Sequence, residues 1–216
     1  MASSAKTSST ATNVDRDSGP AWDSLSNALT NDSSYAGIQL TLANDTSDWA
    51  VFTNWGFNIS PLASINGIVF SYVGSTAVWA NEITTDEIHL YDNSVTNTWP
   101  SYQSSTNWST TSATFTAGSP SDLWGYGVLE APGITVDADT INGSNFGVAI
   151  SVKAGDVYGA STFTGQLYYV SMTIYHTING FRYASTEVKD VRIGNTQVTR
   201  GYLGGATLNT EEITIL

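Results

Sequence analysis

The chain has 216 residues, with seven Lys or Arg against nineteen Asp or Glu, a formal charge of −12, two His and no Cys. An acidic surface repels phosphate, so nucleic acid and anionic membrane are not expected partners, and the lack of Cys excludes disulfides and thiolate metal centres. Charged residues are only 12% of the total, about half the usual share, so hydroxyls and amides must make up much of the surface, as in extracellular and virion β-proteins.

Residues 1–20 have almost no apolar side chains and are expected to form an extended N-terminal arm, held against another subunit rather than folded alone. The first twelve residues hold one Lys and no apolar run, which does not fit a signal peptide; synthesis in the cytoplasm is expected. No stretch approaches the roughly 18 apolar residues of a membrane span.

Residues 21–180 read as one β-sandwich domain. Residues 22–29 look like a short helical turn. In 38–42, strict alternation puts Ile38, Leu40 and Leu42 on one face. Further strands are expected in 49–57, 65–73, 87–91, 113–116, 146–152 and 167–175, where β-branched and aromatic residues dominate and Gly, Asn, Asp, Ser or Pro punctuates. Seven or eight such strands predict an all-β antiparallel sandwich, in jelly-roll topology. The longest apparently strandless stretch is 92–112.

Charge divides the chain as well. No Lys or Arg occurs between Arg16 and Lys153, a span of 136 residues with thirteen carboxylates. Four of the seven basic residues (Arg182, Lys189, Arg192 and Arg200) then gather near the end. In the tail, 181–216, the segment 191–198 is echoed ten residues on by 201–208, each with a Gly194-Asn195 or Gly204-Gly205 pair suited to a tight hairpin. Two hairpins cannot bury a core, so the tail must pack on the body or on a neighbouring chain. The second is expected, with Arg192, Ile193, Val198, Arg200, Tyr202 and Leu203 as the assembly residues.

The candidate chemistry is sparse. His89 alternates with Ile88 and Leu90 and is expected to face solvent; His176 lies 87 residues away, and the two do not supply a zinc site. No G-x-S-x-G elbow accompanies them. Carboxylates are the one enzymatic thread: Glu82, Asp86 and Glu87 cluster before a strand, and Asp137 and Asp139 lie at a turn. A glycosidase needs two acids about 5–9 Å apart across a cleft, whereas these sit in expected loops, so no catalytic residue is assigned. Asp137, Asp139 and Asn142 alternate as oxygen donors in a pattern that suits a structural Ca²⁺, the one cofactor considered; the alternative is an Asx-turn satisfying backbone amides. The turn 44–48 is similarly oxygen-rich. Trp99, Tyr102 and Trp108 form a candidate sugar-stacking rim, the alternative being rings packed beneath their loop.

Several runs resemble a group of tailed-bacteriophage sandwich proteins. Residues 60–68 (SPLASINGI) resemble an "IP-x-x-A-x-I-x-G-I" strand opening, Asn54-Trp55-Gly56-Phe57 an "N-x-G-F" segment, and Asp122-Leu123-Trp124-Gly125 a "D-L-W-G" turn. Residues 141–149 (INGSNFGVA) are similar to the group's late strand, and 193–204 to its "GNTQV…YLG" hairpin. The resemblance spans about 22–205 and implies a non-enzymatic virion role on a head surface, tail or fibre. On it rests the expectation of a capsid decoration (cement) protein bridging head subunits as a homo-oligomer, a trimer, with the major capsid protein as partner. The alternative is a tail-fibre or baseplate adhesion module binding host-surface carbohydrate.

Overall fold

The alternation read along the chain becomes two antiparallel sheets packed together. In a computed structural model the chain divides into two units, Met1–Ile178 and Asn179–Leu216. Residues 1–77, 82–92, 106–124, 136–155 and 162–178 are described in full; 102–103, 182–183, 186–187, 191–193, 196–197 and 213–215 are described as strand backbone.

The first unit holds β1 (Ala2–Lys6), β2 (Thr10–Val14), a 3₁₀ helix (Leu25–Leu29), β3 (Ala36–Leu40), β4 (Trp49–Thr53) and β5 (Ala63–Thr76). It continues with β6 (Ile83–Asp92), β7 (Tyr102–Gln103), β8 (Ala113–Ser119), α1 (Ala138–Asn142), β9 (Phe146–Ala154) and β10 (Phe163–Ile178). The first sheet runs β1–β10–β5–β8, with β3 also on β10; the second runs β2–β4–β9–β6–β7. β5 takes one edge of β10, while β3 and β1 share the other, opposite residues 163–167 and 172–176 respectively.

Inward side chains of both sheets form one core, with Ile38, Phe70, Met172 and Ile174 from the first and Phe52, Ile88, Leu90 and Ile150 from the second. Burial of this apolar area is the dominant favourable term in folding. Three bulges interrupt these ladders, and two of them show how side chains are turned inward. An extra residue, Tyr168, lets Leu167 and Val170 both point inward from β10. An extra residue in β6, Asp86, puts Thr85 and Ile88 in the core and leaves Asp86 and Glu87 consecutively on the outer face.

The structure trims several expected strands. The run over 38–42 ends as a strand at Leu40, and Leu42 is exposed. The run over 49–57 is strand only to Thr53; Trp55, Phe57 and Ile59 then bury their side chains from irregular backbone. The turn over 22–29 is the 3₁₀ helix. The largest correction concerns residues 1–20. They are expected to lie against another subunit, whereas Ala2–Lys6 pairs with β10 and Thr10–Val14 with β4 within the same chain. Backbone ladders need no apolar side chains, which is why composition pointed the other way.

In the second unit, β11 (Arg182–Tyr183) pairs with β12 (Thr186–Glu187), and β13 (Val191–Ile193) pairs with β14 (Thr196–Gln197) and β15 (Ile213–Ile215). Ile193 opposite Thr196 is the register of the hairpin expected over 191–198. The second expected hairpin, 201–208, lies outside the described residues, as do Val198, Arg200, Tyr202 and Leu203.

Candidate functional site

Of the proposed sugar-binding rings, Trp99 lies outside the described residues and Tyr102 contributes its backbone to β7, opposite Ile88. Trp108 is no part of a rim: it is 0% exposed. Its indole N–H donates to the Thr85 hydroxyl at 2.8 Å, and its ring packs on Phe115 and Tyr72. The segment is polar, but this indole is the plug that anchors it.

Of the three donors considered for calcium, Asp137 and Asn142 are committed to backbone groups, and Asp139 is exposed in the first turn of α1. Asp137 is the N-cap of α1 and accepts from the Thr140 N–H at 2.8 Å. Asn142 accepts from the Ile59 N–H and donates to the Ile59 carbonyl, both at 2.8 Å, tying α1 to the segment ahead of β5. In the 44–48 turn, Asp45 accepts from Leu42 N–H and Asp48 from Arg16 N–H. No group of three or more acidic or His side chains is placed to hold a metal among the described residues. A local bond to backbone accounts for Asp137 and Asp45, whereas Asn142 and Asp48 bond backbone remote in sequence. Asp137→Asn is expected to leave stability within about 0.5 kcal/mol of wild type, whereas Asp137→Ala should lose about 1 kcal/mol of cap energy. Thermal melts with and without added calcium should coincide for both; a calcium-dependent rise in Tm would contradict the capping role.

An Asx-type turn at 30–34 carries the one shifted carboxyl among the described residues. Asp32 accepts from the Ser34 backbone N–H and the Thr30 hydroxyl, and these bonds hold its pKa below the ordinary value.

The three acids lie just before the start of β6 and within it, and they face different surroundings. Glu82 is buried and accepts from the Thr164 N–H at 2.8 Å. Asp86 and Glu87, turned outward by the bulge, meet a residue that sequence reasoning missed, Arg16. The guanidinium lies 2.7 Å from Asp86 Oδ2 and 3.5 Å from Glu87 Oε2, donates to Ser151 Oγ on β9, and stacks 4.4 Å over the Trp49 ring on β4. Paired carboxylates, a hydroxyl and a π face satisfy most of its donors and its charge. Glu87 also bonds His89 Nε2 at 2.9 Å, and His89 meets Trp49 edge-on at 5.0 Å. His89 faces away from Ile88 and Leu90 as expected but is 3% exposed, not solvated. Its Nδ1 has no hydrogen-bond partner among the described residues; the same is true of Nδ1 of His176, which is also buried.

This cluster is a clasp. It joins the residue that follows β2 by two to the outer face of β4, β9 and β6, where Trp49, Val51 and Ala149 form a second small apolar cluster. The side chains of these pairs are partly shielded, at 14–27% exposure, so desolvation offsets part of their mutual attraction. Chemically, each member is engaged by another: Arg16 by Asp86, Glu87, Ser151 and Trp49, and His89 by Glu87 and Trp49. A lone Arg at the start of a 136-residue basic gap was the available signal, since thirteen carboxylates must compete for it.

No family model and no curated protein sequence matches this chain.

Proposed function

We propose that this is a non-enzymatic structural protein of a bacteriophage virion, acting as a capsid decoration protein that bridges head subunits as a homo-oligomer. The observation that carries the reading is the pairing of a self-sufficient sandwich with a small ladder unit. Met1–Ile178 has its own core, whereas the described strands of Asn179–Leu216 are two or three residues long, too short to enclose one. Such ladders are stable when their edges and faces are covered, and a neighbouring copy or a capsid subunit supplies that cover.

Three further features support it. Successive strands β3 to β10 fall in the orders β3–β10–β5–β8 and β4–β9–β6–β7, which supports the jelly-roll reading common among capsid domains. The motifs over 54–68, 122–125 and 141–149 carry the phage resemblance, and their roles are architectural: Trp124 N–H bonds the Asp122 carboxylate, and its indole bonds the Ile68 carbonyl. The acidic surface keeps the protein away from packaged DNA.

Deletion of 179–216 should leave a cooperatively unfolding sandwich and abolish the oligomer, read by light scattering against the full chain. A truncated protein of unchanged oligomeric mass would overturn the assembly role of the tail. Immunogold labelling of particles with antibody to 21–178 then tests the location: regular label over the head is expected, and label confined to the tail would replace decoration with adhesion.

A further inference from the structure

We propose that β1 is an exchangeable strand: within the oligomer, residues 2–6 of one copy pair with β10 of a second copy, in the register they adopt within one chain. The inference rests on the homo-oligomeric reading above and names a second contact, made between copies that the tail holds together.

The N-terminal segment has two strands with opposite kinds of attachment. β2 is fixed at both ends by side chains. Ser8, 4% exposed, donates to the Thr53 carbonyl at 2.6 Å, and Ser9 bonds Asn54. Asn13 exchanges two hydrogen bonds with the backbone of Trp22, and the Arg16 clasp follows. β1 has none of this. Its side chains are Ala, Ser, Ser, Ala and Lys, four of the five are exposed, and none is counted in the core. No side-chain hydrogen bond or ion pair holds residues 1–7 among the described residues, and Thr7, between β1 and the Ser8 anchor, is exposed. What retains β1 is the ladder from Ala2 opposite His176 to Lys6 opposite Met172.

A ladder of backbone bonds does not distinguish one copy from another. The same five residues from a neighbour make the same bonds, so exchange costs little beyond association and opening the joint at Thr7. The acceptor edge, in contrast, needs an occupant. Residues 172–176 carry buried Met172, Ile174 and His176 on the core face, and an empty edge there would leave unpaired backbone groups beside the apolar core. The occupant that fits by sequence and register is this segment, from its own chain or from a second copy.

The chain has no Cys, so introduced thiols report pairing unambiguously. Ala5 lies opposite Thr173, and Cα atoms so placed are about 4.5–5.5 Å apart, within disulfide reach. Full-length Ala5→Cys and Thr173→Cys single variants, carrying different tags, are co-expressed and oxidised. Exchange predicts a disulfide joining the two variants, seen at twice the chain mass on a non-reducing gel, with the 5–173 linked peptide identified by mass spectrometry. Its absence overturns the proposal, because pairing within one chain leaves each single thiol opposite an unmodified residue. A double Ala5→Cys/Thr173→Cys chain linked wholly within itself overturns it likewise. Light scattering on the same samples separates the two ideas: an oligomer without the chain-to-chain link sinks only the exchange, whereas a monomer sinks the homo-oligomeric reading as well.

Discussion

Trp108→Ala is expected to destabilise the sandwich by about 3–5 kcal/mol, the range for emptying a buried aromatic site. The ring fills space between the sheets next to Phe115 and Tyr72, and its N–H ends on the hydroxyl of Thr85, which also bonds the Tyr72 hydroxyl at 2.7 Å. Gly74 has no side chain because a Cβ there would meet the indole at 2.8 Å. Neighbours fitted this closely cannot collapse into the space. Urea unfolding of wild type, Trp108→Phe and Trp108→Ala should give a graded loss, with the Phe variant intermediate because it keeps some packing and loses the hydrogen bond. A change under about 0.5 kcal/mol in the Ala variant would instead mark Trp108 as a surface ring and restore the sugar-rim reading.

The second large effect is at Gly118 in β8. This residue sits at φ +84°, where an L side chain is strained. A Cβ there would fall 2.1 Å from the Ile68 carbonyl oxygen and 2.4 Å from the Trp124 indole nitrogen, the two atoms that hydrogen-bond each other at 3.0 Å. Gly118→Ala therefore combines backbone strain, overpacking and a lost buried hydrogen bond, and should cost about 3–5 kcal/mol. The check is thermal or urea denaturation of the variant against wild type. An unchanged midpoint would show that the β5–β8 pair tolerates a shift that this geometry forbids.

Much of the sandwich was legible because it obeys a short-range rule. Where one face is buried and the other is not, as over 167–175, alternation declares the strand, and over 146–152, buried on both faces, a continuous apolar and small-residue run does so. Legibility failed where backbone pairing does the holding. β1 and β2 are polar strands on sheet edges, and nothing in ASSAK or TATNV records that their partners are β10 and β4. α1 was hidden because it is short and its Asp137 cap resembles a cation loop in one dimension. The Arg16 clasp was out of reach for another reason: its partners lie at positions 49, 86, 87 and 151, and a bulge decides that both carboxylates face the same way. Trp108 was misplaced as a rim residue because a polar neighbourhood in sequence says nothing of where a single ring is aimed.

The position of β10 has a consequence for how the protein comes into being. The strand that receives β1, β3 and β5 is the last of the sandwich to be made, and Ala2 pairs with His176 across almost the whole unit. At ribosomal speeds of about 5–20 residues per second, β1 waits roughly 10–30 s after synthesis for its partner to exist. None of the first sheet's pairings except β5 with β8 can close before then. Closure of the first sheet should thus wait for β10 and be governed by long loop closures, on the slow side for its size. During the wait β3 and β5 have no β10 to pair with, and nascent chains on one message are each other's nearest neighbours.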